Sequence, residues 1–171
     1  MKGIIDAASR GGGVFLSLAP KGDATIPEAQ VAVLGEIGDW LGVHSEAIHG
    51  TRPWRIQAEG DVERIWSGKL GTGWRYHLCD EQDIRFTCTK EALYAMVMGW
   101  QENGTLDVAS LHGRIHLGEG DIRSVQLLGD DRPLTWTRDG QGLHIALPPE
   151  RPHDHAYVFK IQVDGDIDVD M

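Results

Sequence analysis

Cysteine is nearly absent from this chain: Cys79 and Cys88 are the only two in 171 residues. A single pair builds no disulfide framework, and no CxxC pattern marks a metal knuckle. Two free thiols in a β-rich core are therefore the expectation, with a Cys79–Cys88 bridge as the alternative. Basic residues are also scarce, since 16 Lys and Arg face 26 Asp and Glu, for a net charge of −10. Such a surface repels phosphate backbones and anionic lipid, which argues against nucleic acid and membrane surfaces as partners. Long apolar runs are missing too, because none approaches the ~18 residues of a membrane span. The run at residues 14–18 is shorter than a secretory core and is preceded only by Lys2 and Arg10, so no export signal is expected within these residues. Nothing in the composition specifies a compartment.

What is present describes a globular protein. Hydrophobic residues make up 41% and charged residues 25%, ordinary values for a packed domain. The length suits one domain, or a smaller domain with a further piece attached.

Residues 3–9 place Ile4, Ile5 and Ala8 on one side, as in a last helical turn. Gly11, Gly12 and Gly13 then interrupt regular structure. They precede the next apolar run and lack a following Gly-Lys-Ser/Thr, so a tight loop is expected rather than a phosphate cradle. Residues 14–18 are apolar except for Ser17, the pattern of a strand buried on both faces in a parallel sheet. Pro20, Gly22 and Asp23 form a loop. Thr25, Ile26, Pro27 and Glu28 then start a helix, with Pro at its first position and an acid at its positive end. Val31, Leu34, Ile37 and Leu41 recur on one stripe, and the helix is expected to end near residues 42–45. A strand, loop and helix of this kind need neighbouring parallel strands to be stable.

From Trp54 the pattern changes. Residues 84–89 alternate as a half-buried strand, and strands are expected over 93–100, 105–111, 123–128, 133–137, 142–147 and 156–163. Turn signals punctuate them at Glu102-Asn103-Gly104, Gly129-Asp130-Asp131 and Arg138-Asp139-Gly140. The fold class expected is mainly β, an antiparallel β-sandwich of Greek-key type, preceded by the strand–loop–helix piece.

The same residues resemble a known family. The stretch SRGGGVFLSLAPKGDATIP, from Ser9, and LGEIGDWLGVHSEAIHGTRPW, ending at Trp54, are similar to the end of the catalytic barrel in the α-L-fucosidases of glycoside hydrolase family 29. DIRFTCTKEAL, YAMVMGWQENGTLDVASL and AYVFKI resemble that family's C-terminal domain, as do residues 125–128. Departures exist. Gly13, Ser17, Ala19 and Ala24 stand where the family usually has Asn, Asn, Gly and Gly, and His44, Ser45 and His49 replace Asn, Gly and Tyr. Ser17 to Pro20 would lie at the carboxyl end of the last barrel strand, where such barrels build their sites, so those changes bear on the pocket rim.

The resemblance implies a (β/α)8-barrel remnant over residues 1–52 and a C-terminal sandwich domain over 53–171. It also implies a parent reaction of retaining fucoside hydrolysis, in which two carboxylates about 5–5.5 Å apart act as nucleophile and acid/base. In the family both lie upstream of the segment matched here, so no residue of this chain is assigned a catalytic, substrate-binding or metal role, and no cofactor is expected. The expectation is a C-terminal fragment, inactive alone, whose partner is the missing barrel or a second chain that supplies it, with a fucosylated glycan bound only by the full-length parent. The alternative is a stand-alone carbohydrate-binding or accessory sandwich.

Three further patterns were weighed for that alternative and for metals. His112 with His116, and His153 with His155, have ligand-like spacing but no third ligand beside them. Asp164, Asp166, Asp168 and Asp170 alternate like calcium ligands, but no bidentate Glu follows, which favours a frayed acidic tail. Six tryptophans include Trp54 in the family exit motif, where packing between the domains is expected, Trp100 and Trp136 at strand ends, and Trp66 and Trp74 in a Gly-rich stretch; core packing is the plainer role for them and sugar stacking the sharper one.

Overall fold

The computed structural model describes residues 1–60, 81–117 and 120–167. Cys79, Trp66, Trp74, Asp168 and Asp170 lie outside the described residues, and with them the expectations placed on them.

The first element, α1 (Lys2–Ser9), is a full two turns rather than one. It closes on glycine: Gly11 takes a φ of +72°, its N–H donates to the Ala8 carbonyl and that of Gly12 to Ala7. This left-handed cap absorbs the loop's amides, and a Cβ on Gly11 would sit 3.2 Å from the Pro53 ring. The Gly-rich stretch is thus a helix stop, not an anion cradle.

Residues 14–18 are the clearest departure from expectation. They are not a strand, and Phe15 is 93% exposed. A run buried on both faces needs a paired strand on each side, and among the described residues none pairs with it. Ala24, at a position where a Gly is usual in the resembled family, holds a φ of 64°, a left-handed conformation that costs a Cβ-bearing residue about 1 kcal/mol.

Helix α2 (Glu28–His44) starts and stops where expected, with Pro27 one residue outside it. Its packing face agrees with the expected stripe except at the N-terminal end: Leu34, Ile37 and Leu41 are half-buried beside buried Trp40 and His44, while Val31 is 52% exposed, so the helix meets the rest of the molecule at its C-terminal end. A short 3-10 turn, Ser45–Ala47, leads out of it.

Eight strands follow in two antiparallel sheets: β1 (Arg52–Glu59), β2 (Ile84–Cys88), β3 (Ala92–Val97), β4 (Thr105–Val108), β5 (Ile122–Leu127), β6 (Trp136–Arg138), β7 (Leu143–Ala146) and β8 (Tyr157–Val163). The larger sheet runs β1-β2-β3-β8-β5 and the smaller β4-β7-β6. The chain therefore crosses between sheets after β3, β4, β5 and β7, and β8 returns to lie between β3 and β5. This is the mainly-β antiparallel sandwich that the alternation and turn residues imply. Gly104 and Gly129 sit in two of its turns with φ of +76° and +83°, where other residues are strained.

Register explains which residues form the core. Leu93 opposes Ile161, Ala95 opposes Phe159 and Val97 opposes Tyr157. This face packs against Leu106, Val108, Leu143 and Ile145 of the small sheet. Their neighbours point the other way: Tyr94, Met96 and Val158 form a second core with Ile5, Trp40 and Ala47 of the helical segment. The large sheet is thus covered on both faces, and β2 and β3 are buried along their whole length. Strand β2 alternates in sequence as if half-exposed. Its polar residues Arg85 and Thr87 are nevertheless 0% exposed, because the helical segment covers them.

Candidate functional site

Two surfaces of the helical segment hold chemistry. The first is the seam by which it is fixed to the sandwich. Asp6 of α1 places Oδ1 2.6 Å from Nε of buried Arg85, whose guanidinium also donates to the Ile84 carbonyl at 3.1 Å. Thr87 donates its hydroxyl to the Ala47 carbonyl at 2.7 Å. Trp40 donates its indole N–H to the Ala156 carbonyl at 2.8 Å. Glu46 accepts from the Tyr94 hydroxyl at 2.9 Å and from Lys160 Nζ at 2.5 Å. Partial burial pushes the Glu46 carboxyl up, but these two donors outweigh it and hold it below the usual range. Burial, reinforced by Glu46, raises the Tyr94 phenol far above its ordinary value. Buried polar groups with specific partners fix an orientation that apolar contact alone leaves free.

The second surface faces away. Val14, Phe15, Leu16, Leu18 and Ile26 of the irregular segment, with Val31, Val33 and Val43 of α2, are the large exposed hydrophobic residues among those described. They all lie within residues 14–43, while the sandwich keeps its own apolar side chains inside. A contiguous apolar stretch of sequence left outward is the mark of a contact surface.

Between α2 and the segment leading into β8 lies an open cleft of about 310 Å³, lined by Glu36, Asp39 and Trp40 on one side and His153, Asp154 and His155 on the other. His44 closes its floor, 1% exposed. Its ring stacks on Trp40, with centroids 4.4 Å apart, and its Nε2 lies 3.1 Å from Nε2 of His153. Burial holds the His44 imidazole below its ordinary pKa, against the opposing pull of the Trp40 carbonyl.

The histidines paired by sequence spacing take different partners, although His153 and His155 line the same cleft. His153 meets His44, while His155 approaches Glu36 at 3.6 Å. His112 accepts the Arg114 N–H on Nδ1, and the His116 carbonyl takes a hydrogen bond from Arg55. Among the described residues no three His, Cys, Asp or Glu side chains converge on one metal position. Asp164 and Asp166 are exposed. Cys88 is a buried free thiol, raised in pKa by that burial. Trp40 and Trp54 are core residues, and Trp100 and Trp136 pack partly buried against the core.

The pairings Asp6–Arg85 and His44–His153 escaped sequence reasoning. Only the departure at His44 from the resembled family's Asn pointed toward the second.

One histidine outside the seam makes a pH test. His144 of β7 has Nδ1 2.7 Å from Asp107 and Nε2 3.1 Å from Asp139. The Asp107 and Asp139 hydrogen bonds raise its pKa. A raised folded-state pKa means that the stabilisation is fully present below the unfolded value of about 6.5 and is lost as pH climbs through the folded value. The Tm difference between the protein and His144→Gln should therefore be largest below about pH 6.5 and vanish at alkaline pH. A difference that grew with pH would contradict the geometry. Because the site is exposed, added salt should shrink the effect.

Comparison with known proteins follows the geometry. Residues 80–162 match the alpha-L-fucosidase C-terminal domain family. The human tissue alpha-L-fucosidase is 29% identical over 150 residues, which cover 87% of this chain and 27% of the relative. The rat plasma alpha-L-fucosidase is 31% identical, over 86% of this chain and 28% of the relative. Among solved structures, the Thermotoga maritima alpha-fucosidase in complex with fucose superposes with a TM-score of 0.67 at 24% identity, covering 92% of this chain and 32% of that one. Alpha-L-fucosidase isoenzyme 1 from Paenibacillus thiaminolyticus superposes with a TM-score of 0.68 at 20% identity, covering 95% of this chain and 33% of that one. The chain thus spans about a quarter to a third of the length of these proteins.

Proposed function

We infer, from a chain that belongs to the α-L-fucosidases of glycoside hydrolase family 29 by their C-terminal portion, that its role is to hold and complete a catalytic barrel rather than to carry the reaction. In this proposal residues 1–52 are the last pieces of the barrel and residues 53–171 the accessory sandwich. The barrel's other strands come from further residues of the same polypeptide or from a second chain. Those strands would supply the two carboxylates of retaining fucoside hydrolysis and the pocket for a fucosylated glycan.

One observation carries the proposal: the run at 14–18 has the composition of a doubly buried barrel strand yet pairs with no strand among the described residues and lies outward, Phe15 being 93% exposed. Docking into a parallel sheet would satisfy both its backbone and its side chains. The seam described above would hold it in position for that docking. Core placement of Trp40 and Trp54 supports an accessory role over an independent sugar-binding module.

The purified 171-residue chain is expected to show no turnover of an aryl α-L-fucoside. Turnover abolished by a fucose-mimicking inhibitor would refute the proposal. Mixed with a family 29 barrel lacking this portion, the chain should co-elute with it, and Phe15→Asp together with Leu16→Asp should abolish the association.

A further inference from the structure

The His44–His153 contact contains a count that does not balance. His44 Nδ1 lies 2.8 Å from the Trp40 carbonyl oxygen, and His153 Nδ1 lies 3.1 Å from the Asp154 carbonyl oxygen. A carbonyl only accepts, so each Nδ1 must carry its ring's proton. In two neutral imidazoles that leaves both Nε2 atoms as bare lone pairs, facing each other at 3.1 Å. These three contacts require three positive hydrogens and the pair has two, while the Leu128 carbonyl draws on the His44 ring as a further acceptor. Moving either proton to Nε2 repairs the middle contact and breaks an outer one. The arrangement is complete only with one cation between the two Nε2 atoms.

That environment is the one in which an imidazole pair binds a metal. A metal-ligating histidine characteristically donates its other ring N–H to a backbone carbonyl or carboxylate, which fixes the tautomer and aims the lone pair; both rings do so here. Two imidazole nitrogens each ~2.0–2.1 Å from a tetrahedral ion stand about 3.4 Å apart, within a few tenths of an ångström of the observed separation. Trp40 stacked on His44 and Tyr157 stacked on His153, with ring centroids 4.4 and 5.0 Å apart, hold the two rings in place. The Nε2 pair lies beside the open cleft, whose other ionisable side chains are Glu36, Asp39, Asp154 and His155, so three carboxylates favour a cation and water can reach it.

We propose that His44 and His153 form a binding site for a divalent transition metal of the zinc class, joining α2 to the segment before β8 through their two Nε2 atoms. Water, or a cleft carboxylate swung inward, fills the remaining positions, because among the described residues no third ligand is already in place. Imidazole donors suit zinc, copper and nickel over magnesium or calcium. The bound ion would pin the C-terminal end of α2 to the sandwich, so metal binding and the seam's stability are linked. The inference is independent of any role in fucoside hydrolysis.

The test uses the whole chain, stripped with a chelator and titrated with zinc chloride by calorimetry at neutral pH. Cobalt(II) substitution supplies a visible ligand-field spectrum. One zinc per chain, a zinc-dependent rise in Tm and weakening of binding as pH falls and protons compete for the rings are the expected results. His153→Gln should lose all three, and so should His44→Asn. The exposed His49→Gln should lose none. His153 is only half-buried, so its variant remains a decisive test if His44→Asn fails to fold. Absence of saturable binding, or binding undiminished in His153→Gln, would overturn the proposal and leave a shared proton as the occupant of the pair.

Discussion

Replacing Trp54 with alanine is expected to cost about 3–5 kcal/mol of stability, the range for deleting a buried large aromatic. The indole is 2% exposed and meets Phe86 edge-on, with ring centroids 5.3 Å apart and planes at 64°. It sits near the start of β1, directly after the turn that ends the helical segment, and belongs to the core shared by the two sheets. Its removal therefore empties the point where the helical segment hands over to the sandwich, and a well-packed interior refills such a space only partly. Domains of this size are stabilised by about 5–15 kcal/mol in all, so the variant should lose a large share of its stability. Urea titration followed by far-UV circular dichroism measures this. A loss below about 1 kcal/mol would mean that Trp54 is not a core residue.

The second large effect belongs to Asp6. Asp6→Ala removes the Asp6 carboxylate from the buried guanidinium of Arg85, and breaking a buried ion pair from one side typically costs about 3–5 kcal/mol. Arg85 keeps its hydrogen bonds to the Ile84 and Glu59 carbonyls, which places the expected loss near the lower end, about 3 kcal/mol. The companion Arg85→Met removes the buried charge, and the double variant Asp6→Ala with Arg85→Met should recover a large part of the loss. Since α1 packs over β1 and β2, the single variant should also release α1. Amide hydrogen exchange in residues 2–9 should then rise more than in β3 and β8. Equal losses in single and double variants would show that the ion pair does not hold the seam.

Much of the sandwich was legible beforehand because its signals are local. Alternation in β8, the turn at Glu102-Asn103-Gly104 and the breaks at Gly129 and Gly140 each concern residues a few positions apart. The helix from Glu28 to His44 was legible for the same reason, through Pro27 and the spacing of its apolar residues. Its stripe held at Leu34, Ile37 and Leu41, which are half-buried, and failed at Val31, because the helix has apolar side chains on more than one side. Val31 and Val33 remain outward while Trp40 packs inward, and a 3.6-residue period cannot choose between two apolar faces. The strand expected at residues 14–18 failed differently. Its composition describes a position between neighbours, and a strand exists only when those neighbours pair with it.

The seam was the least visible feature. Arg85 and Thr87 read as the solvent side of an alternating strand, yet their partners Asp6 and Ala47 lie 79 and 40 residues away. His44 meets His153 across 109 residues. By itself the amino-acid sequence carried the family resemblance, most of the antiparallel strands and the limits of α2, since each is written in neighbouring residues or in a contiguous run of matched positions. Tertiary structure alone decided which face of α2 is buried, that β2 is covered on both sides, and that two histidines confront each other with one positive charge too few. Those outcomes depend on which distant groups share a space, and hydrogen-bond and charge balance can be counted only once they do.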